Sequence, residues 1–256
     1  MTERVPTYTA EQVRAAERPL LDAGVPLMRR AAAALADVVR AELATPDTVI
    51  TMTGVLEPVI RETPVALRPR VLVLVGSGDN GGDALYAAAR LSRIADVDAL
   101  LVAERFHVTA LATAVAAGVR RVDLPEVEDA VRHYALIVDG ILGIGASSDP
   151  ALRGRARGVV TAIRDDLRRG GRMPRVIAVD IPSGLHPDTG EADDAVLAAS
   201  VTVTFGAVKN GLVTGRGPEL AGDIVLVDIG LGPALESVEP TGEASVSRMV
   251  SAPGDV

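Results

Sequence analysis

The residues best suited to ligand binding lie in four loops, each of which directly follows a short apolar run. The first loop, residues 76–83 (GSGDNGGD), contains the pattern G-x-G-x-x-G. Such glycines let backbone amides approach a phosphate at a helix N-terminus, although a plain tight turn uses the same glycines. Asp79, Asn80 and Asp83 add side-chain oxygens, which favours hydroxyl recognition or a hard cation over a simple phosphate cradle.

Two further loops begin with an aspartate at the end of an apolar run. Asp139 opens a glycine-bearing loop, where it either faces solvent in a turn or contributes to a site. Asp180 opens the sequence DIPSG, in which a rigid Pro-Ser-Gly turn contains Ser183. From its position alone, Asp180 either caps this turn or acts as an acid or base.

The fourth loop, residues 205–212 (FGAVKNGL), contains Lys209, the single lysine among 26 basic residues. A lone lysine on a surface usually has no function. Its retention in a chain that otherwise uses arginine indicates a need for a compact ammonium group. The sequence leaves both interpretations open.

The elements that must position these loops follow from the hydrophobic pattern. Apolar runs at 71–75, 97–102, 119–122, 135–138, 176–179, 201–205 and 224–227 predict strands, and stretches at 83–94, 107–117, 127–133 and 152–167 predict helices. This alternation predicts an α/β fold with a parallel sheet covered on both faces. Ligands bind outside the carboxyl ends of such strands, so we expect Asn80, Asp139, Asp180 and Ser183 to converge there.

The ends of the chain are less regular. Thr9 and Gln12 form a capping-box pattern, which predicts a helix that stops or kinks at Pro19. Residues 44–70 predict a long, partly helical excursion. We expect one domain over residues 1–235 and a flexible tail or linker over residues 236–256.

Composition excludes several classes of function. The chain has no cysteine and only three scattered histidines, which argues against disulfides, zinc sites and cysteine nucleophiles. Aromatic residues make up 2% and the net charge is −8, so a nucleic-acid-binding surface is not expected. No apolar run approaches the ~20 residues of a membrane helix. Because the N-terminal sequence has no signal-peptide pattern, we expect a soluble cytoplasmic protein.

The motifs resemble those of the NAD(P)H-hydrate epimerase family, which is built on the YjeF N-terminal domain. Four segments match in order, and the stretch from Tyr8 to Ala32 is also similar; the segments are GSGDNGGDA (76–84), VDGILGIG (138–145), VDIPSGLHPDTG (179–190) and TFGAVKNGL (204–212). The similarity spans residues 8–231. It implies a Rossmann-like three-layer sandwich with a central, mostly parallel sheet and helices on both faces.

The resemblance also implies an activity, the interconversion of the R and S epimers of hydrated NADH and NADPH, NAD(P)HX. Asp180 would contact the hydrated nicotinamide ring, and Asn80, Asp139 and Ser183 would hold a potassium ion. We hypothesise that Asp180 assists as an acid or base and stabilises an iminium-like cation. The nucleotide site would be lined by Asp79, Asn80, Gly81, Gly82, Asp83, Gly143, Ile144, Gly145, Ala146, Ser147, Ser148 and Asp149.

Two alternatives remain at this level. The same fold could serve as a non-catalytic nucleotide-binding or scaffolding module. An NAD-dependent dehydrogenase would be consistent with G-x-G-x-x-G and with Glu104 after the next strand, but the chain lacks a Tyr-x-x-x-Lys pair. The expected partners are the small-molecule substrate NAD(P)HX and a separate NAD(P)HX dehydratase. A homodimer is left open.

Overall fold

The computed structural model describes residues 3–44, 48–50, 56–58, 68–145, 149–169 and 173–252. Three predicted nucleotide-site residues, Ala146, Ser147 and Ser148, lie outside these ranges. Within the segment 44–70, the structure describes two short strands, β2 (Thr48–Ile50) and β3 (Leu56–Pro58), which pair antiparallel. The predicted partly helical character is not tested by these two strands, because residues 45–47, 51–55 and 59–67 lie outside the described ranges.

An eight-stranded sheet forms the centre of the described structure, and every neighbouring pair in it is parallel. All the strands predicted from apolar runs are present in it. The strands, numbered along the chain and given in spatial order, are β13 (Arg248–Ser251), β11 (Asp223–Asp228), β9 (Val201–Phe205), β8 (Arg175–Val179), β7 (Leu136–Gly140), β4 (Arg70–Val75), β5 (Asp96–Leu101) and β6 (Arg120–Arg121).

Helices cover both faces of this sheet, which explains the unbroken apolar runs. On β4, Val71, Val73 and Val75 face the core shared with four helices, α1 (Ala10–Asp22), α2 (Leu27–Ala44), α3 (Asp79–Leu91) and α4 (Val108–Ala116). Leu72 and Leu74 of the same strand face the core shared with α5 (Leu124–Ala130), a 3-10 turn (Val131–His133) and α6 (Gly154–Arg168). The predicted α/β three-layer sandwich is confirmed.

A second, three-stranded sheet was not predicted. It contains β1 (Glu3–Tyr8) between β10 (Val208–Lys209) and β12 (Gly242–Val246), and Tyr8 pairs with Lys209. A 3-10 turn (Asn210–Leu212) and two one-turn helices, α7 (Gly217–Leu220) and α8 (Gly232–Leu235), complete this region. The small sheet matters for function because it fixes the backbone of the single lysine.

The prediction of a flexible tail from Glu236 is wrong for the residues that form β12 and β13. Strand β12 pairs antiparallel with β1, and β13 extends the central sheet beside β11. The polar composition of this segment conceals a strand pattern, because Ala244 and Val246 are buried while their neighbours are exposed.

Helix α1 begins at the predicted capping box but does not end at Pro19. The Thr9 hydroxyl accepts a hydrogen bond from the Gln12 amide at 3.1 Å, and the Gln12 side chain accepts one from the Thr9 amide at 2.8 Å. Pro19 lies inside the helix on its exposed side, as does Ala15 one turn earlier. Water can therefore hydrate the carbonyl that loses its partner, and the helix continues to Asp22. In the part of the chain that is described, no helix is long and apolar enough to span a membrane.

Candidate functional site

The strand order places a crevice where β4 meets β7, since the chain runs from β4 toward β6 and then returns to β7 on the other side. Asn80, in the first turn of α3, spans this crevice. Its Nδ2 donates to the Leu142 carbonyl at 3.0 Å and to the Val179 carbonyl at 2.6 Å. The loops that follow β4, β7 and β8 are therefore in direct contact, and Val179 immediately precedes Asp180.

Asp139 and Ser183 link the ends of β7 and β8 through two hydrogen bonds. The Ser183 hydroxyl donates to Asp139 Oδ1 at 2.7 Å, and the Ser183 amide donates to Asp139 Oδ2 at 2.9 Å. Asp139 is 1% exposed, and this burial raises the pKa of its carboxyl, while the hydrogen bonds from Ser183 oppose the rise. The Ser183 hydroxyl also lies 3.3 Å from the Leu142 carbonyl oxygen that Asn80 contacts. Of the three residues predicted as cation ligands, Asn80 and Ser183 therefore meet at one backbone oxygen, and Asp139 is hydrogen-bonded to Ser183.

This donor set consists of one carboxylate, one hydroxyl, one amide and neighbouring backbone carbonyls. Among the described residues, no group of three or more histidine, cysteine, aspartate or glutamate side chains could hold a metal ion. Oxygen donors that are mostly neutral suit a large monovalent cation, as carbonyl oxygens do in potassium-selective sites. The residues present therefore fit potassium in their chemistry.

Gly143 is required by the position of Asn80. A Cβ atom added at Gly143 would lie 2.2 Å from Asn80 Oδ1, whereas one added at Gly145 would meet nothing within 4 Å. The side chain of Asn80 can reach Leu142 and Val179 only because residue 143 has no side chain.

We expect Gly143→Ala to lower the free energy of unfolding by about 1–3 kcal/mol, the usual cost of overpacking a closely packed site. Gly145→Ala, in the same loop, is the matched control and should stay within about 0.5 kcal/mol of the parent protein. Urea unfolding of both variants measures the difference. Equal stability of the two variants would mean that Asn80 moves freely and does not tie the loops together.

Asp180 occupies an unusual backbone conformation. Its φ angle is +68°, in the left-handed region that is uncommon for residues other than glycine. Residues in such strained conformations cluster at active and ligand-binding sites. The carboxyl is buried, and Oδ1 accepts hydrogen bonds from Thr204 Oγ1 at 3.2 Å, from the Phe205 amide at 3.3 Å and from Lys209 Nζ. These described partners all converge on Oδ1, which leaves Oδ2 for a ligand.

Lys209 belongs to the site, although its sequence signal was only its uniqueness. It is 1% exposed, and besides Asp180 its Nζ donates to Thr204 Oγ1 at 3.2 Å and to the Phe205 carbonyl at 2.9 Å. Pairing of β10 with β1 holds its backbone. The ammonium group therefore fixes both the charge and the orientation of the Asp180 carboxylate.

Three more carboxyl groups surround this pair. Asp79 and Asp83 come from α3, and Glu17 comes from α1. Burial, followed by the negative charges of Asp180, Asp79 and Glu17, raises the pKa of Asp83 well above its usual range. Burial also raises the pKa of Glu17, although the positive charge of Lys209 opposes the rise. Glu17 carried no sequence signal, because its approach to the site depends on how α1 packs.

The glycine loop has two roles. Cβ atoms at Gly76 and Gly81 would lie 1.8 Å and 2.3 Å from backbone oxygens, so these two glycines permit close packing of neighbouring backbone. Gly78 meets nothing within 4 Å, and as the N-cap of α3 it provides no side-chain cap. The N-terminus of this 13-residue helix is thus available to an anion.

Two further predicted positions, Ile144 and Asp149, belong to the loop that follows β7. Ile144 is tied to α1, since its carbonyl accepts from Arg14 at 2.8 Å, and Asp149 pairs with Arg153. Asp149 and Arg153 border a cleft of about 550 Å³, which is also lined by Gly76, Ser77, Glu104 and Leu142. A cleft of this volume accommodates a small-molecule ligand.

Comparison with known proteins agrees with this architecture. The family model described as YjeF-related protein N-terminus matches residues 24–211. An NAD(P)H-hydrate epimerase of Microbacterium testaceum is 51% identical over 253 residues, which cover 98% of this chain and 89% of that relative. An NAD(P)H-hydrate epimerase of Clavibacter michiganensis subsp. michiganensis is 48% identical over 88% of this chain and 90% of that relative.

A longer relative and a solved structure extend the comparison. The bifunctional NAD(P)H-hydrate repair enzyme Nnr of Mycobacterium tuberculosis is 38% identical over 88% of this chain, a match that covers 41% of Nnr. The crystal structure of yeast ynu0 (YNL200c) has the same fold, with a TM-score of 0.65, 19% identity and coverage of 82% of this chain and 84% of that one. The family match and the closely similar relatives together place this chain in the YjeF N-terminal family, the family of the NAD(P)H-hydrate epimerases.

Proposed function

We propose that the protein is an isomerase that interconverts the R and S epimers of hydrated NADH and NADPH. The observation that carries this proposal is the buried carboxylate of Asp180, which Lys209 fixes through Oδ1 and whose charge acts on Asp83 in the first turns of α3. The names of the relatives with 51% and 48% identity support it over a non-catalytic module.

The chemistry of the substrate suits a fixed negative charge. The hydrated carbon bears a hydroxyl next to the ring nitrogen, so loss of the hydroxyl produces an iminium-like cation. Water can return to either face of this cation, which exchanges the epimers. Asp180 would stabilise the cation because a preorganised charge in a water-poor site acts strongly on charge that develops in the transition state.

The nucleotide portion would lie along the glycine loop and the β7 loop. We propose Asp79, Asn80, Gly81, Gly82 and Asp83 from the first loop as its contacts, together with residues 143–149 from the second. The uncapped N-terminus of α3 supports a phosphate position there. The cleft beside Gly76 supplies volume for the rest of the dinucleotide.

We also propose that Asn80, Asp139 and Ser183 hold a potassium ion. When bound, the ion would supply a positive charge that draws the loops after β4, β7 and β8 together. The expected result is a midpoint of thermal unfolding that rises with KCl more than with choline chloride at equal ionic strength. Ser183→Ala removes one donor and should abolish this difference, whereas a difference that persists in the variant would place the ion elsewhere.

The activity is tested by stereochemistry. Hydrated NADH, prepared as a mixture of epimers, is incubated with a dehydratase specific for the S form, and consumption of the R form is followed. The protein should consume the R form well above its spontaneous rate of conversion. Consumption at the spontaneous rate only, by protein that binds NADH, would instead support a non-catalytic module. An NAD(P)HX dehydratase is the functional partner that this proposal requires, and we propose that both act in the cytoplasm.

A further inference from the structure

Asp83 is a buried carboxyl group, and one of its two oxygens makes no hydrogen bond with the described residues. The residue is 6% exposed, and its buried Oδ1 accepts no hydrogen bond from any described residue. Ionisation would place negative charge on this buried oxygen, which has neither solvent access nor a hydrogen-bond donor beside it among the described residues. The neutral acid avoids most of this cost, so the structure favours a protonated Asp83.

The groups around Asp83 favour the same state. Asp79 lies one turn earlier on α3, Glu17 belongs to α1, and Asp180 follows β8; negative charge on each of these groups raises the pKa of Asp83. The ammonium group of Lys209 is engaged by Asp180 and by two oxygen atoms near the end of β9. On α4, which also packs against α3, His107 uses Nδ1 to accept from the Ala110 amide.

The site therefore contains two buried carboxyl groups in opposite environments. Asp180 is paired with the ammonium group of Lys209, whereas Asp83 has carboxyl neighbours and a buried oxygen without a donor, both of which favour its neutral form. Two carboxyl groups separated in this way by their surroundings can divide the roles of acid and base.

We propose that Asp83 is the general acid of the epimerisation and protonates the substrate hydroxyl as it leaves. This inference rests on the proposed epimerase function. The carbon–oxygen bond breaks with its electron pair going to oxygen, the Asp83 proton joins that oxygen to release water, and the nitrogen lone pair forms the carbon–nitrogen double bond. Asp83 becomes a carboxylate, and the ring becomes the cation that Asp180 stabilises.

The second half-reaction restores the charges. Water attacks the opposite face of the ring, the new carbon–oxygen bond forms, and the double-bond pair returns to nitrogen. The proton lost by the attacking water passes to Oδ2 of Asp180. Exchange of one proton from Asp180 to solvent and one from solvent to Asp83 resets the enzyme, and conversion in the other direction uses the two groups in reversed roles.

Asp83→Asn is the direct test, because asparagine keeps the shape of the neutral acid but cannot transfer a proton in this way. We expect kcat to fall by about 100-fold or more, the usual contribution of a general acid. Binding of NADH, the probe for nucleotide affinity, should stay within about threefold of the parent value. Asp37→Asn, on the surface of α2 where Asp37 pairs with Arg40, is the control for a lost aspartate and should retain full activity.

The outcomes separate the possible roles of Asp83. An unchanged kcat in Asp83→Asn, with or without a raised KM, would overturn the proposal and leave Asp83 as a binding residue only. A parent protein without epimerase activity would instead contradict the proposed function, and the folding measurement described below would still report whether Asp83 is neutral.

The pH dependence supplies a readout that a structural role would not change. Because the acid must be protonated, kcat of the parent should fall as pH rises through the raised pKa of Asp83. Glu17→Gln removes one negative neighbour, which lowers the pKa of Asp83 and should move this decline to lower pH. A decline that does not move in Glu17→Gln would show that another group titrates.

The pH dependence of the free energy of unfolding reports the protonation of Asp83 without any substrate. The folded state binds the Asp83 proton more tightly than the unfolded chain does, so the free energy of unfolding should fall as pH rises from the ordinary aspartate range toward the raised pKa of Asp83. Asp83→Asn should lack this component. If the two proteins show the same pH dependence of stability, Asp83 is ionised in the folded protein and cannot be the acid.

Discussion

Asp180→Asn is expected to lower kcat/KM for epimerisation by about 10²–10³-fold, which corresponds to about 3–4 kcal/mol of transition-state stabilisation. Asparagine has nearly the size of aspartate and tolerates the left-handed backbone at φ +68°, so the backbone should keep its course. It carries no negative charge, however, and cannot stabilise the cation. The coupled dehydratase assay with a single epimer as substrate measures the loss.

A fall in activity would also follow if the variant were simply less stable. Asp180→Asn leaves the ammonium of Lys209 buried without its counter-charge, which costs about 3–5 kcal/mol when a buried pair loses one partner. The double variant Asp180→Asn/Lys209→Met removes the orphaned charge as well. We expect it to recover stability but not activity. Recovery of both would show that Asp180 serves the fold rather than the reaction.

Most of the central sheet could be predicted because its inner strands are short, apolar and buried on both faces. Strand β13 at its edge could not, since most of its residues are exposed. The small sheet could not, because its strands are partly exposed and its pairings are remote in the sequence: Val5 pairs with Ala244, and Thr7 with Val208. Local composition carries no information about such pairings. From sequence alone the polar segment after Glu236 therefore suggests a linker, and its strand β12 is recognised only from its pairing with β1.

The candidate site likewise contains residues that could be predicted from the sequence and residues that could not. Asn80, Asp139, Asp180 and Ser183 could be brought together from sequence because each lies at or after the carboxyl end of a strand of one parallel sheet. In the structure these segments are in contact. Lys209 stood out by composition, but its role requires the unpredicted pairing of β10 with β1. The distinctive feature of Asp83, a buried oxygen without a donor, is a property of packing that spacing along the chain does not reveal.

Lys209→Met should reduce the free energy of unfolding by about 3–5 kcal/mol, the same cost as that expected for removing the other partner of this buried pair. Methionine fills a similar volume, but Asp180 then keeps only the neutral donors Thr204 and Phe205. Unfolding in urea is the suitable measurement, since urea adds no salt that would screen charges. Stability equal to that of the parent protein would mean that the buried pair contributes nothing to the fold.

Lys209→Arg separates charge from geometry at the same position. The guanidinium keeps the positive charge, yet it is planar and larger, and the lysine that it replaces is 1% exposed and contacts three different groups through one nitrogen. Activity should therefore remain low even if part of the lost stability returns. Full activity in Lys209→Arg would show that any cation suffices beside Asp180. Low activity with partly restored stability would show that a compact ammonium is needed to aim the carboxylate, which would explain a lysine at this position in a chain that uses arginine everywhere else.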